Sequence, residues 1–294
     1  MPAPFMMEVL ELNRKQSIDN GQVAEVLALV NTYLIRRYLA GQDTSAISRF
    51  FPSYLKNVIT KANGIGFNYF VDICKYYLVE DTKQKAMFMP DNKYILQYLS
   101  AANAYTLTNI DWILKKIETH SNPVPIDVAA LSIEHIMPQK SNEYWDEVAG
   151  VDKDEYQALI NKLGNLTLVA KTDNSAMGNR DFEHKKAVLE KSKHLTMNND
   201  ILSLDEWNKS CIEERTGKVA QKIFDIFPYD KPAISILTDE EDRKIFLNAK
   251  GIHAEGYLHP SKKVTVFANS LISFSALPNA KSLLELREEL CDKE

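Results

Sequence analysis

Through the first hundred positions apolar residues recur at three- and four-residue steps, the spacing that lays one stripe along a helix. Val23, Val26, Leu27, Val30, Leu34 and Tyr38 define one such stripe. Asp43-Thr44-Ser45 supplies capping residues for a second helix running toward Leu55. An aromatic-rich segment from Phe67 to Leu78 follows, and Tyr94 to Tyr105 and Ile110 to Ile117 continue the helical pattern. Residues 1–121 are therefore expected to form a packed helical scaffold.

Asn122-Pro123-Val124-Pro125 interrupts that pattern, because proline removes a backbone donor and restricts the residue before it. Val128 to Ile136 and Leu166 to Ala170 then read as strands, with helical patterning and acidic residues between Asn142 and Leu163. Phe182 to Lys193 reads as an amphipathic helix. Leu204 to Phe227 reads as a longer one, with Trp207, Ile212, Val219, Ile223 and Phe227 along one side. The turn-rich Phe227-Pro228-Tyr229-Asp230-Lys231-Pro232 closes this second region, residues 122–230. Beyond it Ile245-Phe246-Leu247, Ala254 to Leu258 and Lys263 to Phe267 alternate as strands, and Leu277 to Leu290 reads as a closing helix. Residues 236–294 are expected to be a small appended α+β domain, and the fold class is α+β, mostly α-helical.

Composition narrows the setting. The 294 residues suffice for two domains, and 45% hydrophobic with 26% charged content is ordinary for a soluble globular chain. Cys74, Cys211 and Cys291 lie far apart and form no CxxC pair, which argues against a zinc ribbon or a disulfide framework and for a reducing compartment. The segment Met1 to Met7 has no basic region and reaches Glu8 too soon for a signal peptide. No apolar run approaches the roughly 20 residues that span a bilayer. The expectation is a cytoplasmic protein with no membrane partner. A net charge of −5 does not advertise nucleic-acid binding, but phosphate binding depends on a local basic face. From Lys171 to Lys193 six Lys and Arg stand against four Asp and Glu, a mild positive excess.

The chemistry concentrates in Ile133-Glu134-His135-Ile136-Met137-Pro138-Gln139, then Leu163-Gly164-Asn165-Leu166-Thr167-Leu168, then Asp173-Asn174. An acid–His pair ends one apolar run, one Asn opens a second, and a further Asn comes after it. That order suits a strand, a loop, a second strand and a helix folded around one divalent metal. Glu134 and the side-chain oxygen of Asn174 are hard ligands suited to a Mg²⁺-like ion, which can neutralise charge during phosphodiester hydrolysis. His135 is the natural general base, since an unperturbed imidazole titrates at about 6.5. Regular strand geometry would send Glu134 and His135 to opposite faces, but at a strand end turned by Pro138 both can converge on one phosphate. Asn165 is expected to fix local geometry, either by bonding the loop backbone or by orienting the imidazole through a ring nitrogen. Gly164 permits close backbone approach or a positive φ.

The ordered set resembles an HNH, or ββα-metal, endonuclease site, and in detail the HNH domain of the GmrSD family of modification-dependent restriction enzymes. The resemblance rests on Glu134, His135, Pro138 and Gln139; on Gly164, Asn165 and Leu166; on Asn174; and on Asn179, Phe182 and Lys185. It implies a helical scaffold carrying an embedded ββα-metal core. Glu134 and Asn174 would be metal ligands, His135 the base and Asn165 the central Asn. Lys185, Asn179 and His184 are the residues expected to meet nucleic acid, with a helix-surface lysine as the plainer reading of Lys185. Leu34-Ile35-Arg36-Arg37 with Gly41 and Thr44, and Trp207, Ile212 and Arg215 toward the end, extend the likeness over residues 3 to 229. Residues 240 to 291 loosely resemble a small domain appended to restriction-related proteins.

Two departures carry consequences. The family carries a nucleotide-hydrolysing domain ahead of this region, and no phosphate-binding Gly-rich loop occurs in this sequence. Either a separate nucleotide-hydrolysing or sensor subunit is the expected partner, beside DNA in modified or plain form, or this is a fragment that has lost regulation. The last ligand position is Asn rather than His, which suits a single Mg²⁺ or Mn²⁺ and argues against zinc. The leading expectation is a metal-dependent DNA endonuclease of anti-phage restriction. Its alternatives are a catalytically inactive nucleic-acid-binding protein and an interaction subunit in which the motif is coincidental.

Overall fold

The computed structural model describes residues 2–43, 45–81, 86–192 and 194–233, together with strands at 245–249, 252–258 and 264–268. Thr44 and the closing helix expected from Leu277 to Leu290 lie outside the described residues. The chain divides into two units. One comprises residues 1–34, 43–89 and 230–294, and the other residues 35–42 and 90–229. The protein is mostly helical, with short antiparallel sheets.

In the first unit, α1 (Ala3–Arg14) is followed by α2 (Asn20–Leu39), whose end passes into the second unit. The buried row on α2 is Val26, Leu29, Val30 and Tyr33, whereas Leu27 is 48% exposed. The expected stripe is thus rotated by a residue. Both rows have helical spacing, and the aromatic surface of α3 (Ile47–Ile65) selects the one that buries Tyr33. Ring centroids of Tyr33 and Phe50 are 5.7 Å apart, and those of Phe5 and Tyr54 5.0 Å. Asp43 does not cap α3. Its carboxylate accepts the Ser45 amide at 2.8 Å, a turn-forming bond, and α3 starts two residues later. The Tyr54 hydroxyl donates to the Cys74 carbonyl on α4 (Phe70–Val79) at 2.9 Å.

In the second unit, α5 (Asn92–Ala101) and α6 (Ile110–Ser121) lead to β1 (Leu131–His135). The segment Val128–Ala130, expected to be strand, is a 3-10 turn, because the Asp127 carboxylate accepts the Ala129 amide at 3.0 Å. Then come α7 (Glu143–Ala149) and α8 (Lys153–Ile160), separated at Gly150, whose φ of 60° is the left-handed cap a glycine adopts freely. The second strand, β2 (Leu166–Ala170), pairs antiparallel with β1 from Leu131 opposite Ala170 to His135 opposite Leu166. Helix α9 (Lys171–Met177) begins without a gap, then α10 (Phe182–Lys191), α11 (Asn199–Leu202) and α12 (Lys209–Ile226). In the first unit again, β3 (Ile245–Ala249), β4 (Ile252–Leu258) and β5 (Val264–Ala268) form an antiparallel sheet in that order, at the positions expected for strands.

The two faces of β2 serve two cores. Leu166 and Leu168 pack with Ile113, Ile117, Val219 and Ile223, whereas Val169 packs with Met177, Phe182, Trp207 and Ile212. A strand buried on both faces must be anchored along its backbone, and Arg215 of α12 does this. Its buried guanidinium donates to the carbonyls of Gly164 at 2.6 Å and Leu166 at 2.7 Å. Gly164 itself permits close approach rather than a positive φ. A Cβ there would lie 2.0 Å from the Ile212 carbonyl oxygen and 2.7 Å from the Thr216 amide nitrogen, both backbone atoms of α12. Among the described residues no helix is long and apolar enough to cross a membrane.

Gly164→Ala is expected to destabilise the fold by about 3 kcal/mol or more, since neither backbone atom can yield without moving α12. A urea melt of the purified variant measures this, and a change under about 0.5 kcal/mol would contradict the close packing.

Candidate active site at the end of a two-stranded sheet

The strand β1 ends at His135, and the turn after it is held by one side chain, that of Asn165. The Asn165 backbone oxygen accepts the Ile136 amide at 3.1 Å, which carries the ladder one step past the strand. Its side chain then acts as a peptide group would. Oδ1 accepts from the Met137 amide at 2.8 Å, and Nδ2 donates to the Met137 carbonyl at 2.8 Å. The remaining donor goes to the Ile160 carbonyl at 2.8 Å, and the Trp207 indole N–H reaches Oδ1 at 3.0 Å. These four bonds use the full capacity of an amide. Of the two roles open to Asn165 in the sequence, bonding the loop backbone is the one it performs. None of these bonds reaches the imidazole.

Beyond that turn the Pro138 carbonyl accepts the Tyr156 hydroxyl at 2.8 Å, and the Trp145 indole N–H bonds the Arg180 carbonyl at 3.0 Å. Asn142, which caps α7, also donates to the Asn179 carbonyl at 2.8 Å. The segments 137–140 and 178–181 are thus fastened as two rims of an open cleft of about 400 Å³. Glu134 and His135 both line it, with Pro138, Gln139 and Lys140 on one rim and Gly178 and Asn179 on the other.

Glu134 is 7% exposed and Lys185 of α10 fully buried. The Lys185 ammonium donates to Glu134 Oε1 at 2.7 Å and to the His135 carbonyl at 2.6 Å. Burial pushes the Glu134 carboxyl up and Lys185 pulls it back; burial pushes the Lys185 ammonium down and Glu134 opposes that. Each charge is tolerable inside because the other is there. Lys185 is accordingly not a helix-surface lysine. Its ammonium points into the protein beneath the cleft, where two of its three donors are spent.

Asn174 lies within α9, not at its N-cap. Its Nδ2 donates to Ser132 Oγ at 3.1 Å and to the Ile133 carbonyl at 2.9 Å. Ser132 and Glu134 share a face of β1 by strand alternation, so Asn174 stands on the face that carries Glu134. Both bonds run through the nitrogen and leave Oδ1 as an open acceptor.

His135 is 7% exposed, and its imidazole is held down to about 4 by burial, with Asn161 pulling the other way and the Lys185 charge adding to the depression. The ring is therefore neutral, with a lone pair able to accept a proton, throughout the neutral range. Tyr105 packs edge-on against it, with centroids 4.6 Å apart at 70°. Neither Tyr105 nor Asn161 stands out in the sequence. Tyr105 lies in the turn between α5 and α6, thirty positions ahead of His135, and Asn161 reads as the end of a helix. No spacing rule connects either to the motif. Of the residues expected to meet nucleic acid, Asn179 is exposed on the cleft rim. His184 is exposed on α10, where its amide is capped by Asp181. Among the described residues no three His, Cys, Asp or Glu side chains gather as a metal-holding group, so any ion here would rely on Glu134, amide oxygen and solvent.

Fold and site define a mostly helical protein built around a β-β-α unit that offers an acid and an imidazole to one open cleft. Residues 80–222 match the family of GmrSD restriction endonucleases, C-terminal domain. The match contains β1, β2, α9, α10 and every candidate site residue. The parts of the likeness drawn over residues 3 to 79, 223 to 229 and 240 to 291 lie outside it. No curated protein matches the chain.

Lys185→Met leaves the Glu134 carboxylate buried and unpaired, at an expected cost of about 3–5 kcal/mol near pH 8. Removing the ammonium raises the Glu134 pKa further, so the folded state takes up a proton at a higher pH than the unfolded chain. The penalty must then shrink as pH falls. Urea denaturation of both proteins at pH 8 and pH 5 reads this; a penalty equal at the two pH values would mean lost packing, not lost charge, is responsible.

Proposed function

We propose that this chain is a divalent-metal-dependent DNA endonuclease of a restriction system, with His135 as the general base that takes a proton from the attacking water. The observation that carries the reading is that Glu134 and His135, neighbours at the end of β1, both line one open cleft directly ahead of the helix that bears Asn174. The restriction-endonuclease family of residues 80–222 supports DNA as the substrate.

Glu134 and Asn174 would hold one Mg²⁺ or Mn²⁺. The donors fit such an ion: an ionised carboxylate held at Oε1 by Lys185, and an amide whose Oδ1 is open, are hard oxygens on one face of β1. The ion would supply charge neutralisation on the scissile phosphate and the departing oxygen. The neutral imidazole of His135 accepts the proton of the nucleophile. Asn165 keeps the strand end turned so that the acid and the base share the cleft. Lys140 and Asn179, exposed on opposite rims, and His184 on α10 are the groups offered to the DNA backbone. A separate nucleotide-hydrolysing or sensor subunit completes the proposed system.

Supercoiled plasmid incubated with the protein in Mg²⁺ or Mn²⁺ is expected to be nicked, and to stay intact in EDTA. His135→Ala should lower the rate by about 10²–10⁴-fold with an unchanged thermal melt. Cleavage by that variant at the parent rate would remove His135 from the chemistry. Asn174→Ala should raise the Mg²⁺ concentration for half-maximal cleavage by about tenfold, and an unchanged requirement would exclude it as a ligand.

A further inference from the structure

We infer that Asn161 is a positioning residue for His135: its side-chain oxygen accepts the imidazole Nε2–H and leaves Nδ1 as the nitrogen presented to the cleft. The proposed base role of His135 enters only in the expected effect on rate; the tautomer stands independently of it.

Nε2 of His135 and Oδ1 of Asn161 are both enclosed by protein, and neither has a hydrogen-bond partner at normal bonding geometry. The two side chains lie close enough to influence each other. They are also tied through one short segment. The Asn161 carbonyl accepts the Ala104 amide at 2.9 Å, and the next residue, Tyr105, lies edge-on to the imidazole at 4.6 Å. The Asn161 amide is oriented by its own helix, since Nδ2 donates to the Gln157 carbonyl at 3.1 Å. Its oxygen is therefore the group turned toward the ring.

A neutral imidazole carries one N–H and one lone pair. With the proton on Nε2, the ring offers a donor to that acceptor. With the proton on Nδ1, two enclosed lone pairs face each other, which is repulsive in a low-dielectric site. Nδ1 is not enclosed, and the ring lines the cleft. Asn165 cannot take this role, because all four of its hydrogen bonds are committed elsewhere.

The test is a long-range ¹H–¹⁵N correlation spectrum of the imidazoles in the full chain, in EDTA at pH 8, with His135 assigned through His135→Gln. The expected parent spectrum shows the Nε2-protonated tautomer. Asn161→Ala should give an average of both tautomers, while Asn161→Asp, which keeps an acceptor, should retain the parent pattern. In plasmid cleavage Asn161→Ala should lower kcat about tenfold with KM unchanged. A Nδ1-protonated parent, or an unaltered spectrum in a folded Asn161→Ala protein, would overturn the inference. If the parent shows the expected tautomer but cleaves no DNA, the tautomer assignment stands and the reading of this chain as a nuclease active without its proposed partner falls.

Discussion

The site depends on a side-chain amide standing in for a peptide group. Asn165 meets both polar atoms of Met137 as a paired strand would, and with its second donor satisfies the last carbonyl of α8, which a helix end leaves open. No other side chain does this equally well. An aspartate would set a carboxylate against two carbonyl oxygens, and a glutamine would overreach by one carbon. The buried, fully bonded Asn165 holds the turn after His135, and the acid and the imidazole both line the same cleft at the point where strand alternation would separate them.

The amide is rigid because its surroundings are. Its oxygen also takes the Trp207 indole N–H, and Trp207 stacks on Phe182 at the start of α10. One position earlier, Gly164 lets α12 come into backbone contact, and Arg215 of the same helix grips the carbonyls on either side of Asn165. Burial holds the Arg215 guanidinium down to about 10, with Asp200 opposing, so it stays charged at neutral pH and its attraction for the carbonyls is undiminished. Strand, closing helix and α10 thus converge on three consecutive residues, 164 to 166. The carboxylate of Glu118 adds a similar tie, taking the amides of Thr196 and Met197 at 2.8 Å each beneath the same core.

Much of this order is legible in the sequence, and the remainder is not, for identifiable reasons. The span of β2 and the position of β1 come from short apolar runs, and the local chemistry of Asn165 comes from its place at the strand entry. The burial of Lys185 does not. It depends on α10 crossing beneath β1 some fifty residues away, and a lysine on an amphipathic helix looks the same in sequence whether it faces water or a carboxylate. The row on α2 is displaced by one residue because two rows have equal helical spacing and only the partner surface distinguishes them. Tyr105 and Asn161 stay hidden for a third reason: they reach His135 through a turn from another helix, and neither carries a recognisable pattern.

Lys185 has one more consequence. Metal centres assembled from several ionised ligands often resist folding until the ion arrives, since the bare ligands repel one another. Here the carboxylate already has an internal counter-charge, at 2.7 Å and out of reach of solvent. Folding is thereby uncoupled from cation supply. The proposed metal site can therefore fold empty, and a chelator that halted the proposed cleavage would leave the chain folded.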